Sequence, residues 1–464
     1  MQGAKQTILL ESVHRLLRRG AALRVQHLLE KTRPVDIAHL FPACTPRERQ
    51  QVFELLKSPQ VQAQVLAEAE RGYVPELFAG LTVTKVVEIL KGLGTDDVAD
   101  ILRALPEDQS EPILRAMHDK ESYPVEEILG YGPETAGGIM SADYFALNRD
   151  ITIADAIRTL QEKGEEVEMA FYVYVINEHS HLVGVLSLRQ LVTTRPDRKL
   201  IDVMEPDVIS VRTEADQEEV AALVARYNWL AVPVVDESNK LRGIVTVDDI
   251  IDVIKDEATE DILKLAGAGQ EVAPEAPARE HLKMRYPWLI SSCISGFIAA
   301  ILLDNLIGTV GAFLGAFVPM VTGMSGNVGV QSSTVIVRGL ATGQVDSSRA
   351  LSVVRRELLI GLIMGACYGL IVGCVAALYS VWHGAAVDGI HILWFGVSVS
   401  LALLFGMLIA ASMGTMVPIA LSKFGFDPAV ATGPFVTSSL DVLGNLSFFA
   451  VAYLLARAFG IALP

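Results

Sequence analysis

Cysteine is scarce in this chain. Cys44, Cys293, Cys367 and Cys374 are its only four, none belongs to a CxxC pair, and they read as small hydrophobes suited to a reducing compartment or a bilayer interior. HExxH is absent, and His383 and His391 fall in a loop and at a span edge, so an intramembrane enzyme finds no ligand set here. Positive charge is short as well: 38 Lys and Arg face 54 Asp and Glu, a net −16 that repels polyanions and excludes nucleic acid as a partner. The opening "MQGAKQTILLESVHRLLRRG" has neither the apolar core nor the small-residue cleavage site of a signal peptide, so the polar half of the chain is expected in the cytoplasm. Long hydrophobic runs are missing before residue 287 and dominate after it.

At 51% hydrophobic residues and mean hydropathy +0.39 the chain is too apolar for an ordinary soluble protein. Its apolar runs predict five membrane spans, at about 287–306, 310–337, 352–381, 391–421 and 430–457. From 287 on, six basic residues balance six acidic ones, so the acid excess belongs to residues 1–286. An odd number of spans puts the two ends on opposite sides. With the N-terminus inside, the flank before span one (Arg279, Lys283, Arg285) and the loops after span two (Arg338, Arg349, Arg355, Arg356) and span four (Lys423) face the cytoplasm. The two outer loops carry no Lys or Arg, as the positive-inside rule requires.

In the polar half an apolar pair recurs every 12 residues, once 13: Leu40-Phe41, Val52-Phe53, Val65-Leu66, Leu77-Phe78, Ile89-Leu90, Ile101-Leu102 and Ile113-Leu114. This period predicts short helices joined by tight turns, with Thr95 and Pro106 as helix starts. Asp96, Asp97 and Asp100 gather at one start, as caps and dipole partners or as cation ligands.

After "YGPETAGGIM" strands alternate with helices, twice over. Met140 and Met204 open the two copies 64 residues apart, and Gly184 and Gly243 recur 59 apart. The pattern resembles a tandem of cystathionine-beta-synthase (CBS) domains, modules whose pairs bind adenine nucleotides or act as sensors. The family's Gly-x-x-Thr/Ser-x-x-Asp is matched by Thr246 and Asp249, whereas the first copy has Ser187 followed by Gln190 where the acid is expected. The second copy runs into "TVDDIIDVIKDEATEDILKLAG", a helix with Asp248, Asp249, Asp252, Asp256, Glu257, Glu260 and Asp261. Hard oxygen ligands at that density favour Mg²⁺ or Ca²⁺. "GAGQEVAPEAPARE" then reads as a linker.

Two features of the membrane half are polar where lipid would forbid it. In "VPMVTGMSGNVGVQSSTVIVRG", Pro319, Gly323, Gly326 and Gly329 surround Asn327 and Gln331, and are expected to loosen span two beside a polar path; close helix packing is the other reading of the glycines. Asp441 lies near the middle of the last span, where a charge costs at least about 2.5 kcal/mol. Gly433, Thr437 and Asn445 share its helix face, and Leu440, Val442, Leu446 and Phe449 are expected to face lipid. No Lys or Arg stands at that depth, so the expected counter-charge is a mobile cation.

Taken in order, a helical domain ending near "TAGGIM", two CBS modules, an acidic helix and five spans with GNxGxQ and SLDVxG motifs resemble the MgtE family of magnesium channels and transporters over essentially the full length. Ser325 stands in "GMSGN" where the family usually has glycine, which implies a local change in that turn. The resemblance implies a multidomain membrane protein: an all-α superhelical N-terminal domain (1–132), an α/β CBS pair (133–200 and 201–247), an acidic connecting helix and linker (248–286) and a five-helix α transmembrane pore domain (287–464). It implies a homodimer in the plasma membrane, with a pore at the subunit interface lined by Asp441, Asn327, Thr437, Gly433, Gln331 and Asn445. Mg²⁺ would enter the cytoplasm there. Internal Mg²⁺ would close the pore by bridging Asp97 or Asp100 to Asp216 and Glu218 of "DQEEV", and by drawing in Asp249, Asp252, Glu257, Glu260 and Asp261. ATP would bind with Tyr172 and Trp229 flanking adenine, Arg189 at phosphate, and Thr246 and Asp249 at ribose or phosphate. Channel flow and coupled transport stay open, as do other divalent cations such as Co²⁺ or Mn²⁺. An intramembrane enzyme with CBS sensors lacks its catalytic residues, and a CBS-regulated anion channel would show basic or amide-rich helix ends in place of a lone aspartate.

Overall fold

The structure is a computed structural model that describes residues 2–163, 171–267, 278–310, 312–341, 345, 350–385, 388–431 and 433–461. Most of the expected linker (268–277), and Arg349 in the loop after span two, lie outside the described residues. The chain divides into two compact units, Met1–Ile254 and Lys255–Pro464.

The first unit opens with short helices: α1 (Gln2–Arg18), α2 (Ala22–Leu29), α3 (Pro34–Ala38), α4 (Pro46–Glu54), α5 (Pro59–Ala67), α6 (Val74–Phe78), α7 (Val83–Leu90), α8 (Thr95–Ala104), α9 (Glu107–Ala116) and α10 (Asp119–Leu129). The 12-residue repeat places one apolar pair just after α3 and one on each helix from α4 to α9, and every member is buried except the half-buried Leu114. Helices two apart pack together, α3 on α5, α5 on α7 and α7 on α9 in one row, α4 on α6, α6 on α8 and α8 on α10 in the other. Pro106 precedes α9 as expected. Thr95 does not cap α8: Gly94 takes the cap position, and the Thr95 hydroxyl accepts from the Ala142 N–H at 2.8 Å while its own N–H donates to Asp143 at 3.0 Å. The threonine is drawn off the cap by the segment that leads into the CBS pair.

The first CBS module comprises β1 (Ala146–Asn148), α11 (Ile153–Lys163), β2 (Tyr172–Ile176), β3 (Leu182–Ser187) and α12 (Leu188–Thr193). The second comprises β4 (Val211–Arg212), α13 (Gln217–Tyr227), β5 (Ala231–Val235) and β6 (Leu241–Thr246). In each sheet the middle strand runs parallel to the first and antiparallel to the third. The modules interlock. Ser141 and Ile244 exchange backbone hydrogen bonds at 2.7 and 2.9 Å. Met140 lies over Gly243, and Met204 over Gly184, so each methionine fills the glycine of the other module.

In the second unit, α14 (Val247–Leu265) carries the chain across the division. It is followed by α15 (Ala278–Val310), α16 (Ala312–Gly315), α17 (Val318–Ala341), α18 (Ala350–Trp382), α19 (Gly389–Lys423) and α20 (Gly433–Phe459). Five helices are long and apolar enough to span a membrane: Ala278–Asp304, Phe313–Ala341, Ala350–Trp382, Gly389–Lys423 and Phe435–Phe459. The first begins earlier than expected because α15 tolerates Pro287 in its interior. The long α19 packs against α17, α18 and α20. Its contact with α18 is a run of glycines one turn apart, Gly361, Gly365, Gly369 and Gly373. A Cβ on Gly365 would come within 2.8 Å of the Leu404 Cα, so the two backbones touch along this seam.

Span two departs from expectation: α17 is one uninterrupted 24-residue helix. Pro319 sits in its first turn, where no intrahelical N–H is lost. Gly329 is closed over by Leu440 and Val436 of α20, and the Gly329 carbonyl leaves no room for a side chain on Gly414 of α19. Close packing, not a loosened backbone, accounts for Gly329; Gly323 and Gly326 border open space.

Candidate functional site

Asp441 is half-buried on α20, and among the described residues its carboxylate makes neither a hydrogen bond nor an ion pair. Glu357, near the start of α18, by contrast accepts from the Ser332 hydroxyl at 2.9 Å. Thr437 donates to the Gly433 carbonyl at 3.0 Å, and Asn445 Nδ2 to the Asp441 carbonyl at 2.5 Å, so the polar stripe is tied to its own helix backbone. Asn445 is 4% exposed, and its Oδ1 has no partner among the described residues. Leu440 and Phe449, expected to face lipid, are both 1% exposed. α20 packs against α15, α17 and α19, which leaves lipid only part of its circumference.

Asn327 comes to the same depth as Asp441. Thr322 of α17 lies beside Gly444, and Gly329 beside Val436 and Leu440, so the helices run antiparallel and residues near 327 stand level with 441. Asn327 and Gln331 are exposed on a face shared with Met320 and Gly323.

A second group of acids lies within the first unit. Thr246 donates to the Asp249 carboxylate across the start of α14, the same hydroxyl-to-third-residue relation that Ser187 and Gln190 make at α12, where a complete capping box forms. The CBS motif is thus a helix start in both copies, and Gln190 serves it as well as an acid would. Burial, then the neighbouring Asp96, push Asp249 up to about 8. Burial, then Asp97, push Asp96 up to about 6, and among the described residues its Oδ1 has no partner. The other two acids of α8 have partners: Asp97 pairs with Arg71 at 2.5 Å and Asp100 with Arg103 at 3.1 Å. Sequence reasoning put Asp97 and Asp100 forward and left Asp96 as a cap, yet Asp96 is the one that meets Asp249. Asp216 caps α13 by accepting from the Glu218 N–H at 2.8 Å, and Glu218 is exposed on that first turn.

Farther along α14, Asp252 is exposed and Glu257 is half-buried. Lys264 holds both Glu260 and Asp427 at 2.6 Å. Burial opposes its charge, but the two carboxylates outweigh that and raise the ammonium above the usual lysine range. Asp261 is raised by burial and then by Asp427. Asp427 was missed by sequence reasoning; its signal is an acid in "FGFDPAV", a loop on the same predicted side as α14. The carbonyl of Leu265, the last residue of α14, abuts Gly433, the first residue of α20, and excludes a Cβ there.

Among the described residues no three His, Cys, Asp or Glu side chains stand close enough to clasp a bare ion. Mg²⁺ is most often held through its water shell by one or two carboxylates, so this does not exclude it. The orphaned oxygen of Asp96 and the raised Asp249 fit a cation between them.

The first CBS module has a cavity of about 420 Å³ lined by Phe171, Tyr172, Ser187, Leu188, Arg189 and Val192, with Leu230 from the second module. Tyr172 and Arg189 therefore come together. Trp229 does not line this cavity; it stacks on Tyr227 at 4.6 Å.

Family models match in the order of the fold: the MgtE intracellular N domain at 32–134, CBS domains at 136–196 and 200–256, and the MgtE divalent cation transporter domain at 318–451. The magnesium transporter MgtE of Bacillus subtilis is 34% identical over 441 residues, 94% of this chain and 95% of its own length. The chain belongs to the MgtE transporter family. The Thermus thermophilus magnesium transporter MgtE is 37% identical over 338 residues, 72% of this chain and 73% of its own. A crystal structure of the cytosolic domain of the Mg²⁺ channel MgtE in complex with ATP is similar at TM-score 0.50 and 34% identity, covering 53% of this MgtE-family chain and 99% of that one. These relatives are named as transporters or a channel, not enzymes.

Proposed function

We propose that this MgtE-family chain admits Mg²⁺ to the cytoplasm through a homodimeric pore in the plasma membrane, and that internal Mg²⁺ closes it. One observation carries the reading: the Asp441 carboxylate, inside a membrane span, has no partner among the described residues, and Asn327 stands level with it. A carboxylate there needs a cation. Two copies across one axis would supply the charge, and Asn327, Gln331, Thr437, Asn445 and the Gly433 carbonyl would supply acceptors for the ion's water. The exposed α17 face with Gly323, Asn327 and Gln331 gives a second copy a small, polar surface to meet.

Closure follows from repulsion among acids. Without Mg²⁺, Asp249 and Asp96 oppose one another; an ion between them, joined by Asp97, would hold α8 to the start of α14. Asp100, Asp216 and Glu218 would extend this cation surface, and Asp252, Glu257, Glu260 and Asp261 would continue it along α14 toward Asp427 and Gly433. ATP would occupy the cavity at Tyr172 and Arg189; that a similar cytosolic domain has been solved in complex with ATP supports a nucleotide as ligand. Of the residues expected around it, Trp229 would contribute only by moving, and Thr246 with Asp249 only beyond their capping bond.

Asp441→Asn keeps shape and removes charge. Liposomes carrying that variant should lose Mg²⁺ uptake while the protein still assembles, and uptake at the unmodified rate would overturn the pore assignment.

A further inference from the structure

The first two helices reverse the charge of the chain. Residues 1–33 hold seven Lys and Arg against two Glu, a net +5 in a protein of net −16. The match to the MgtE intracellular N domain begins only at residue 32, so α1 and α2 lie ahead of it. Arg15, Arg18, Arg19 and Arg24 are exposed, and among the described residues none forms an ion pair. Arg15, Arg18 and Arg19 line a cavity of about 390 Å³ together with His14 and Glu11. The same two helices carry two bare aliphatic side chains, Ile8 on α1, two turns before Arg15, at 64% exposure and Leu23 on α2, next to Arg24, at 81%.

We propose that this face of α1 and α2 docks on the anionic phospholipid surface of the membrane that the protein spans. Charge selects an acidic partner. The bare Leu23 and Ile8 favour lipid over an acidic protein face, because arginines beside exposed aliphatics are what lets a helix rest in the headgroup layer. Each arginine near an anionic leaflet is worth about fivefold in partitioning, so four together amount to more than two orders of magnitude. The proposal rests on the cytoplasmic placement of this half only for which leaflet is met, and its test does not depend on Mg²⁺ flux.

The full chain, with Cys293, Cys367 and Cys374 replaced by serine and the buried Cys44 kept, is labelled with a polarity-sensitive dye at Ala22→Cys. It is placed in nanodiscs either of phosphatidylcholine or of about 70% phosphatidylcholine with about 30% phosphatidylglycerol, each holding headgroup spin-labelled lipid as quencher. Quenching should be several-fold stronger in the anionic discs. It should collapse near 0.5 M salt, where the Debye length falls to roughly 4 Å, disappear in the fourfold Arg15, Arg18, Arg19 and Arg24→Gln variant, and survive in the matching →Lys variant. Equal quenching in both lipids, or quenching that survives the glutamines, would overturn the proposal. So would salt-sensitive burial of the dye in detergent without lipid, which would assign the patch to an acidic surface of a second copy. Should the glutamine variant fail to fold, the lipid and salt comparisons on the unaltered arginines decide alone.

Discussion

The carbonyl of Leu265 occupies the space that a Cβ on Gly433 would need. One residue ends the acidic helix and the other begins the span that carries Asp441, so any shift of the α14 terminus is felt two turns from that carboxylate. Gly433→Ala forces these backbones apart at an overpacking cost of about 1–3 kcal/mol. Mg²⁺ uptake by liposomes carrying Gly433→Ala should lose its dependence on internal Mg²⁺ while uptake itself persists. Feedback at the original concentration would show that the contact is mere packing.

Asp96 and Asp249 carry the electrostatic strain of the first unit. Both have raised folded-state values, so the folded form holds protons that the unfolded chain has already released. Stability in Mg²⁺-free buffer should therefore fall as pH rises from the ordinary 3.8 towards 8, more steeply below about 6, where both groups keep their protons only in the folded form, than above it, where Asp249 alone does. Added Mg²⁺ should flatten that slope. The Asp96→Asn, Asp249→Asn double variant should resist protease without Mg²⁺ as well as the unmodified chain does with it. Thermal melts and limited proteolysis across that pH range check both statements.

Lys264 is a cation supplied by the chain at the place where α14 meets the loop of Asp427. Its ammonium competes with any divalent ion for Glu260 and Asp427. Lys264→Gln should thus lower the internal Mg²⁺ concentration that halves uptake, by about threefold to tenfold for a partly exposed pair worth about 1 kcal/mol. A midpoint moved upward would mean that the lysine holds the closed form together.

Tyr172 presents the aromatic face of the CBS cavity. Isothermal titration with ATP should show millimolar or tighter binding to the full chain and about a tenfold loss in Tyr172→Ala, in keeping with a base–aromatic stack of about 1–3 kcal/mol. Trp229→Leu, whose ring stacks on Tyr227 outside that cavity, should bind ATP as the unmodified chain does.

The sequence makes legible whatever depends on period and hydropathy. The apolar pair every 12 residues marks the buried face of each helix from α4 to α9, and the five apolar runs mark the five long helices. What escapes it depends on which surfaces meet. Nothing local in "VPMVTGMSGNVGVQ" tells that Leu440 will cover Gly329 and keep the helix intact. Asp96 reads as a cap beside Thr95 until the segment at Ala142 claims that threonine and Asp249 comes alongside. Asp427 is 163 residues from the lysine it binds, a separation that no window of sequence joins.

Met140 rests on Gly243 and Met204 on Gly184. The stretch that repeats in sequence is therefore not the stretch that folds. A chain cut at the junction near residue 200 would leave each half with a methionine seeking its glycine and a glycine left bare. The two fragments should stay insoluble alone and recover structure only when mixed, so the CBS pair is inherited as two copies but ripens as one body, and a lesion in either copy is paid by both.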